Sequence, residues 1–144
     1  MGKKSRDKGA GGEYEVRDLF RAAGWLAADR DLDQVRGCDN GRDLINTSPY
    51  CVQVKRYAKP LTDAQVEQAL HEAELSVDDC YRYPVVFYRA DRKPWGVALR
   101  AGILARLLGC STPAETAHWK VALTAEAFFE IAKHELRSAA YDYH

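Results

Sequence analysis

Residues 50–57, Tyr-Cys-Val-Gln-Val-Lys-Arg-Tyr, restrict the possible folds of this chain more than any other stretch. Along an extended strand successive side chains point to opposite faces, so Val52 and Val54 share one face while Gln53 and Lys55 share the other. Upstream stands Gly41-Arg42-Asp43-Leu44-Ile45-Asn46, separated from the first run by Thr47-Ser48-Pro49. The segments 43–46 and 50–57 read as two strands joined by a tight turn. With a three-residue loop at 47–49, Asn46 pairs with Tyr50, Ile45 with Cys51, Leu44 with Val52 and Asp43 with Gln53. Opposed residues carry Cβ atoms about 4.5–5.5 Å apart on one face. Asp43, Gln53 and Lys55 therefore gather on one polar patch, while Leu44, Val52 and Val54 enter the core. A slip of one residue would reverse the faces.

The remaining elements follow from periodicity and caps. Residues 1–11, with Lys3, Lys4, Arg6 and Lys8 among Gly and Ser, read as a flexible basic arm. Val16, Leu19, Phe20 and Ala23 form a helical stripe over 12–23, and Gly24 is a suitable stop. Residues 25–30 read as a strand and 31–41 as a polar loop. Thr62 and Gln65 make a capping box that opens a helix running to about Leu75. Strands are expected at 84–89 and 95–100, a short helix at 101–108, and a further helical turn from a second box at Thr112–Glu115. A last strand at 119–123 and a helix at 124–138 complete the chain. The order α-β-β-β-α-β-β-α predicts an α/β fold: a mixed α+β sheet flanked by helices, in one domain spanning 12–144.

Composition narrows the functional classes. A chain of 144 residues fits one domain with a real core. It has no apolar run of the roughly 18 residues a membrane span requires and no secretory signal, which places it in the cytoplasm with no membrane partner. Cys38, Cys51, Cys80 and Cys110 have neither C-x-x-C spacing nor His partners, so they read as buried or incidental thiols and not as a zinc site. His71, His118, His134 and His144 show no ligand pairing either. The formal net charge is zero, yet residues 1–60 carry 12 Lys/Arg against 9 Asp/Glu and residues 61–144 carry 9 against 12. Neutralising some of the first acids with a cation would leave a basic face, as a phosphate backbone requires.

The polar patch itself indicates a chemistry. A hard divalent ion takes oxygen ligands, and a carboxylate beside an amide oxygen supplies two. A neighbouring lysine puts positive charge where a pentacovalent phosphate becomes negative, or positions the attacking water. Glu13 lies three residues before Val16 and seven before Phe20, at one end of the inward stripe, where it reaches the sheet edge as a third oxygen donor. Its bland explanation is an acid in a first helical turn.

These residues resemble the PD-(D/E)xK nuclease superfamily, and within it the archaeal-type and phage Holliday-junction resolvases, over about residues 8–60. Lys8-Gly9-Ala10 followed by Glu13, then Arg30 closing the first strand, then Asp43 and the Gln53-Val54-Lys55 strand follow the family order. The resemblance implies a restriction-endonuclease-like core and a homodimer that cuts four-way DNA junctions in recombination. It implies Mg²⁺, with Mn²⁺ as a substitute, held by Glu13, Asp43 and Gln53, with Lys55 assisting catalysis and Arg30 contacting DNA or the scissile phosphate. Further DNA contacts are expected from Lys3, Lys4, Arg6, Lys8, Arg36, Arg42, Arg56 and Lys59. The chain departs from the family at three places. Gln53 stands where an acid is usual, as in the Mrr-like restriction branch; Tyr14 stands where the resolvases carry Arg; and Arg42 precedes the Asp where Pro or an apolar residue is common. Two alternatives follow: an Mrr-like restriction-type endonuclease, and a non-catalytic DNA-binding protein on a degenerate nuclease fold.

Overall fold

The computed structural model describes the backbone of residues 3–32 and 42–142, with side chains over 11–32 and 42–136. The elements run α1 (Lys3–Ala23), β1 (Asp29–Arg30), β2 (Leu44–Ile45), β3 (Tyr50–Tyr57), α2 (Asp63–Glu74), β4 (Tyr83–Ala90), β5 (Gly96–Arg100), α3 (Ala101–Leu107), β6 (Lys120–Thr124) and α4 (Ala125–Asp142). As expected, this is a mixed α/β unit with helices on both sides of a four-stranded sheet of order β3-β4-β5-β6. Strand β4 lies parallel to β3, in register from Tyr50↔Tyr83 to Tyr57↔Ala90. Parallel neighbours need a long crossover, and α2 supplies it. Strands β5 and β6 add in antiparallel fashion, and β1 and β2 form a separate antiparallel ribbon.

Strand alternation sorts the core into two layers. Tyr50, Val52, Val85 and Phe87 meet α1 and α4 through Val16, Phe20, Phe128 and Ala132. On the other face Val86 and Ala98 meet Val66, Ala69 and Leu70 of α2. Helix α2 begins at the expected capping box: Gln65 N–H donates to the Thr62 hydroxyl, and the Thr62 N–H donates to the Gln65 side chain.

Several boundaries differ from expectation. Helix α1 starts at Lys3, so the backbone of the stretch expected as an arm continues the helix. The strand expected at 25–30 shrinks to Asp29–Arg30, because Trp25 is drawn into the core and its indole N–H bonds Ser48 O. The box at Thr112–Glu115 opens no helix; the Thr116 hydroxyl bonds Pro113 O and the segment stays a turn. Trp119 is exposed. Among the described residues no helix is long and apolar enough to cross a membrane.

Arg100, at the end of β5, ties the sheet to α2. Its guanidinium reaches Glu67 at 2.7 Å, Glu74 at 2.9 Å and the carbonyl of His118 at 3.1 Å. The Arg100 hydrogen bond holds the Glu67 carboxyl below its ordinary value of 4.5. An acid depressed in the native state stabilises the fold above its unfolded pKa, and that contribution is lost as pH falls through the folded value. Denaturant midpoints should therefore fall from about pH 4.5 downward, and Glu67→Gln should fall less steeply over the same range. With the Glu67 side chain 47% exposed, solvent screening keeps this contribution within about 1 kcal/mol. Equal slopes for the two proteins would show that the pair contributes nothing.

Candidate functional site

The site forms where the β1–β2 ribbon meets the free edge of β3. Asn46 takes φ 61°, a left-handed conformation that Asn tolerates better than most residues, and it ends β2 at Ile45. The Tyr50 N–H then closes onto Thr47 O at 2.9 Å across a cis Ser48–Pro49 bond. The expected hairpin ladder of 43–46 with 50–53 is thereby replaced: β2 pairs with β1, Arg30↔Leu44, instead of with β3. Asp43 nonetheless remains at β3. Its N–H donates to Val52 O at 2.9 Å, and its Oδ2 accepts the Val54 N–H at 2.6 Å. These two bonds bracket Gln53. The carboxylate caps an edge N–H that would otherwise be left unpaired where the ribbon peels away, and it is only 7% exposed.

Gln53 is 3% exposed and lies on the α2 face with Cys51 and Lys55. Cys51 points its thiol at Ala73 O of α2, 3.4 Å away, and burial pushes that thiol up to about 12. Lys55 Nζ meets Glu72 Oε2 of α2 at 3.1 Å. Burial works against the charge on Lys55. The hydrogen bond and charge of Glu72, joined by the field of Asp43, outweigh that burial and hold the ammonium above the ordinary lysine range. Lys55 and Glu72 line a cleft of about 230 Å³ with Tyr57, Gln65 and Gln68.

Glu13 reaches the ribbon from α1, but its carboxylate is taken by Arg30, with Nε to Oε2 at 2.6 Å. That hydrogen bond raises the Arg30 pKa. Arg30 also donates to the Tyr14 hydroxyl at 3.3 Å and lies 4.9 Å from the Tyr14 ring centroid. Along the ribbon Arg30 lies opposite Leu44, and the next residue, Asp31, donates its N–H to Asp43 O at 3.0 Å. The expected set thus divides in two: Asp43, Gln53 and Lys55 gather on β3, while Glu13 forms an ion pair with Arg30 of the ribbon.

Among the described residues no group of three or more His, Cys, Asp or Glu side chains could hold a metal ion. Mg²⁺ asks for less from a protein, binding through one or two side-chain oxygens with waters and substrate phosphate completing its shell. The Asp43 carboxylate and the Gln53 amide oxygen fit that demand; Glu13 fits it only if Arg30 releases it.

The expected DNA contacts also divide. Arg42 is 8% exposed, with Nη1 bonded to Asp78 at 2.9 Å and to Ser76 O at 3.1 Å, and its guanidinium stacks 4.2 Å from the Tyr81 ring centroid. Its guanidinium ties the segment around 76–81 to the start of β2 within the fold. Asp78 is the partner and also accepts the N–H groups of Cys80 and Tyr81. Arg56 lies 3.6 Å from Glu15 and 3.7 Å from Asp91, and Lys59 is exposed. Arg36 and the side chains of Lys3, Lys4, Arg6 and Lys8 lie outside the described residues. Glu72 was not anticipated. The α2 capping box sets the helix phase, and Glu72 flanks its buried stripe between Ala69 and Ala73, which is the signal that could have found it.

By architecture the chain is a mixed α/β protein with a polar cluster at the edge of a parallel strand pair. No protein-family model, curated protein or solved structure matches it.

Proposed function

We propose that this chain is a Mg²⁺-dependent DNA endonuclease that resolves four-way junctions, with Asp43, Gln53 and Lys55 at its centre. The observation that carries the reading is Asp43 held to the β3 backbone on either side of Gln53, its main-chain N–H on Val52 O and its carboxylate on the Val54 N–H, with Lys55 two residues along the strand from Gln53 on the same face. The order α1, β1, β2, β3, α2, β4 supports a restriction-endonuclease-like core of the kind the sequence resembles. Mg²⁺, or Mn²⁺ in its place, would be held by Asp43 and Gln53 and would supply Lewis-acid stabilisation and a more acidic bound water. Lys55, held beside Glu72, would put a cation where charge develops on phosphorus or position the attacking water. Arg30, oriented by Glu13 and Tyr14, offers a guanidinium to a phosphate.

A homodimer suits this role, since two sites related by a two-fold axis match the symmetry of a four-way junction. Backbone geometry and deformability would carry selectivity, as phosphate contacts hold no sequence information. The test is to incubate the protein with labelled junction, linear duplex and single strand, in Mg²⁺ or EDTA. Paired symmetric nicks on the junction, lost in EDTA, are expected. Cleavage of modified linear duplex instead would favour the Mrr-like restriction reading, for which Gln53 is the supporting feature. Binding without cutting on any substrate would overturn the nuclease reading. Gln53→Glu adds a negative oxygen donor, so half-maximal activity should come at several-fold lower Mg²⁺. Inactivation by that change would mean the amide has another task.

A further inference from the structure

We propose that Glu72 is the positioning residue for Lys55, standing in from helix α2 for the acid that β3 lacks at position 53. The inference rests on the nuclease reading above. An acid at 53 would lie on the same strand face as Lys55, about 6.5 Å along the strand, and would balance the ammonium. Gln53 carries no charge to do so. Glu72 fills the gap from across the cleft, 3.1 Å from Lys55 Nζ.

Local structure fixes this contact twice. The Thr62–Gln65 capping box sets where α2 begins and so which residues face β3. The Cys51 thiol against Ala73 O then ties the far end of α2 to the same strand, one residue along the helix from Glu72. A lysine side chain has four rotatable carbon bonds and is expensive to hold in one place. A carboxylate on a separately anchored helix holds the Lys55 ammonium in one place without taking up Asp43 or Gln53. Glu72 touches neither substrate nor ion in this arrangement; it acts through Lys55.

The test combines Glu72→Gln, Glu72→Asp and the double variant Gln53→Glu/Glu72→Gln, each assayed for junction cleavage under single-turnover conditions and for junction binding in EDTA. Glu72 is half-buried on the helix surface, so the single variants should keep wild-type melting. Glu72→Gln should lower the cleavage rate about 10²-fold, the scale of a misplaced catalytic group, with junction affinity unchanged. Glu72→Asp should recover part of the rate, and moving the acid to 53 in the double variant should recover most of it. A wild-type rate in Glu72→Gln would overturn the proposal while leaving the nuclease reading intact. A slow Glu72→Gln rescued by neither second variant would also overturn it, since a lost structural contact would then suffice. A wild-type protein that cuts nothing defeats the nuclease reading itself, and this inference with it.

Discussion

Asp43→Asn is expected to reduce junction cleavage by about 10²–10³-fold, the loss seen when one preorganised electrostatic contact at a reacting centre is removed, while junction binding persists. The geometry explains the separation. Asp43 Oδ2 accepts the Val54 N–H, and its own N–H holds Val52 O. An asparagine keeps a carbonyl oxygen for the first bond and the same backbone for the second, so the ribbon should stay docked on β3. What disappears is one negative charge beside Gln53 on the β3 edge, and with it the hold on a divalent cation. Lys55 also loses one of the charges that favour its ammonium form. Phosphate contacts made elsewhere are untouched, and in EDTA the removal of an acid can only lessen repulsion of DNA. Gel-shift affinity and cleavage rate, measured on the same junction, check this. Loss of both together, with melting unchanged, would contradict the catalytic assignment and make Asp43 a binding residue.

The parts of this site that were legible in the sequence are those set by local rules. The strand at 50–57 has the expected bounds because period-2 alternation and a turn before it are short-range signals. The capping box likewise fixed the start of α2. The hairpin ladder failed because Asn46 entered the left-handed region and the turn closed one residue tighter, on Thr47 instead of Asn46, a choice the pattern Asn-Thr-Ser-Pro does not dictate. Convergence of Asp43 on Gln53 was nevertheless anticipated, since a side-chain oxygen took over the bond that a backbone carbonyl was expected to make.

Long-range contacts account for the rest. Gly2, Gly9 and Gly11 made residues 1–11 look like an arm, and Gly12 follows them at the start of the expected helix, although glycine disfavours helices. In the fold, a Cβ at Gly12 would lie 3.3 Å from Arg56 Cβ and 3.5 Å from Val54 and Trp95. That glycine marks close approach of α1 to β3, not looseness. The Arg42–Asp78 bond was not legible because the two residues lie 36 apart in the chain. Glu72 was invisible for the same reason: Lys55 and its acid belong to different elements, and only the packing of α2 on β3 joins them.

Phe20→Ala is expected to be the most destabilising single substitution argued from this structure, costing about 3–5 kcal/mol. Phe20 is fully buried, and its ring lies 5.1 Å from Phe129, 5.4 Å from both Trp25 and Phe87, and 6.5 Å from Tyr50 and Phe128 between centroids. Three of these contacts are edge-to-face, the arrangement the ring quadrupole favours. The residue joins α1, β3, β4 and α4, so the void left by truncation is walled by four elements and cannot collapse by moving one. For a domain of this size the loss corresponds to a fall in Tm of roughly 10–20 °C. Phe20→Leu, which fills most of the space, should cost about a third as much. The effect should reach the site as well. Glu13 stands seven residues before Phe20, two turns along the same face of α1, so loosening the helix loosens the Glu13–Arg30 pair that joins α1 to the ribbon. Cleavage by Phe20→Ala, assayed well below its lowered Tm, should therefore fall more than cleavage by Phe20→Leu. Should the alanine variant melt within a few degrees of wild type, the aromatic cluster is not what fastens α1 to the sheet, and the position of Glu13 must have another source.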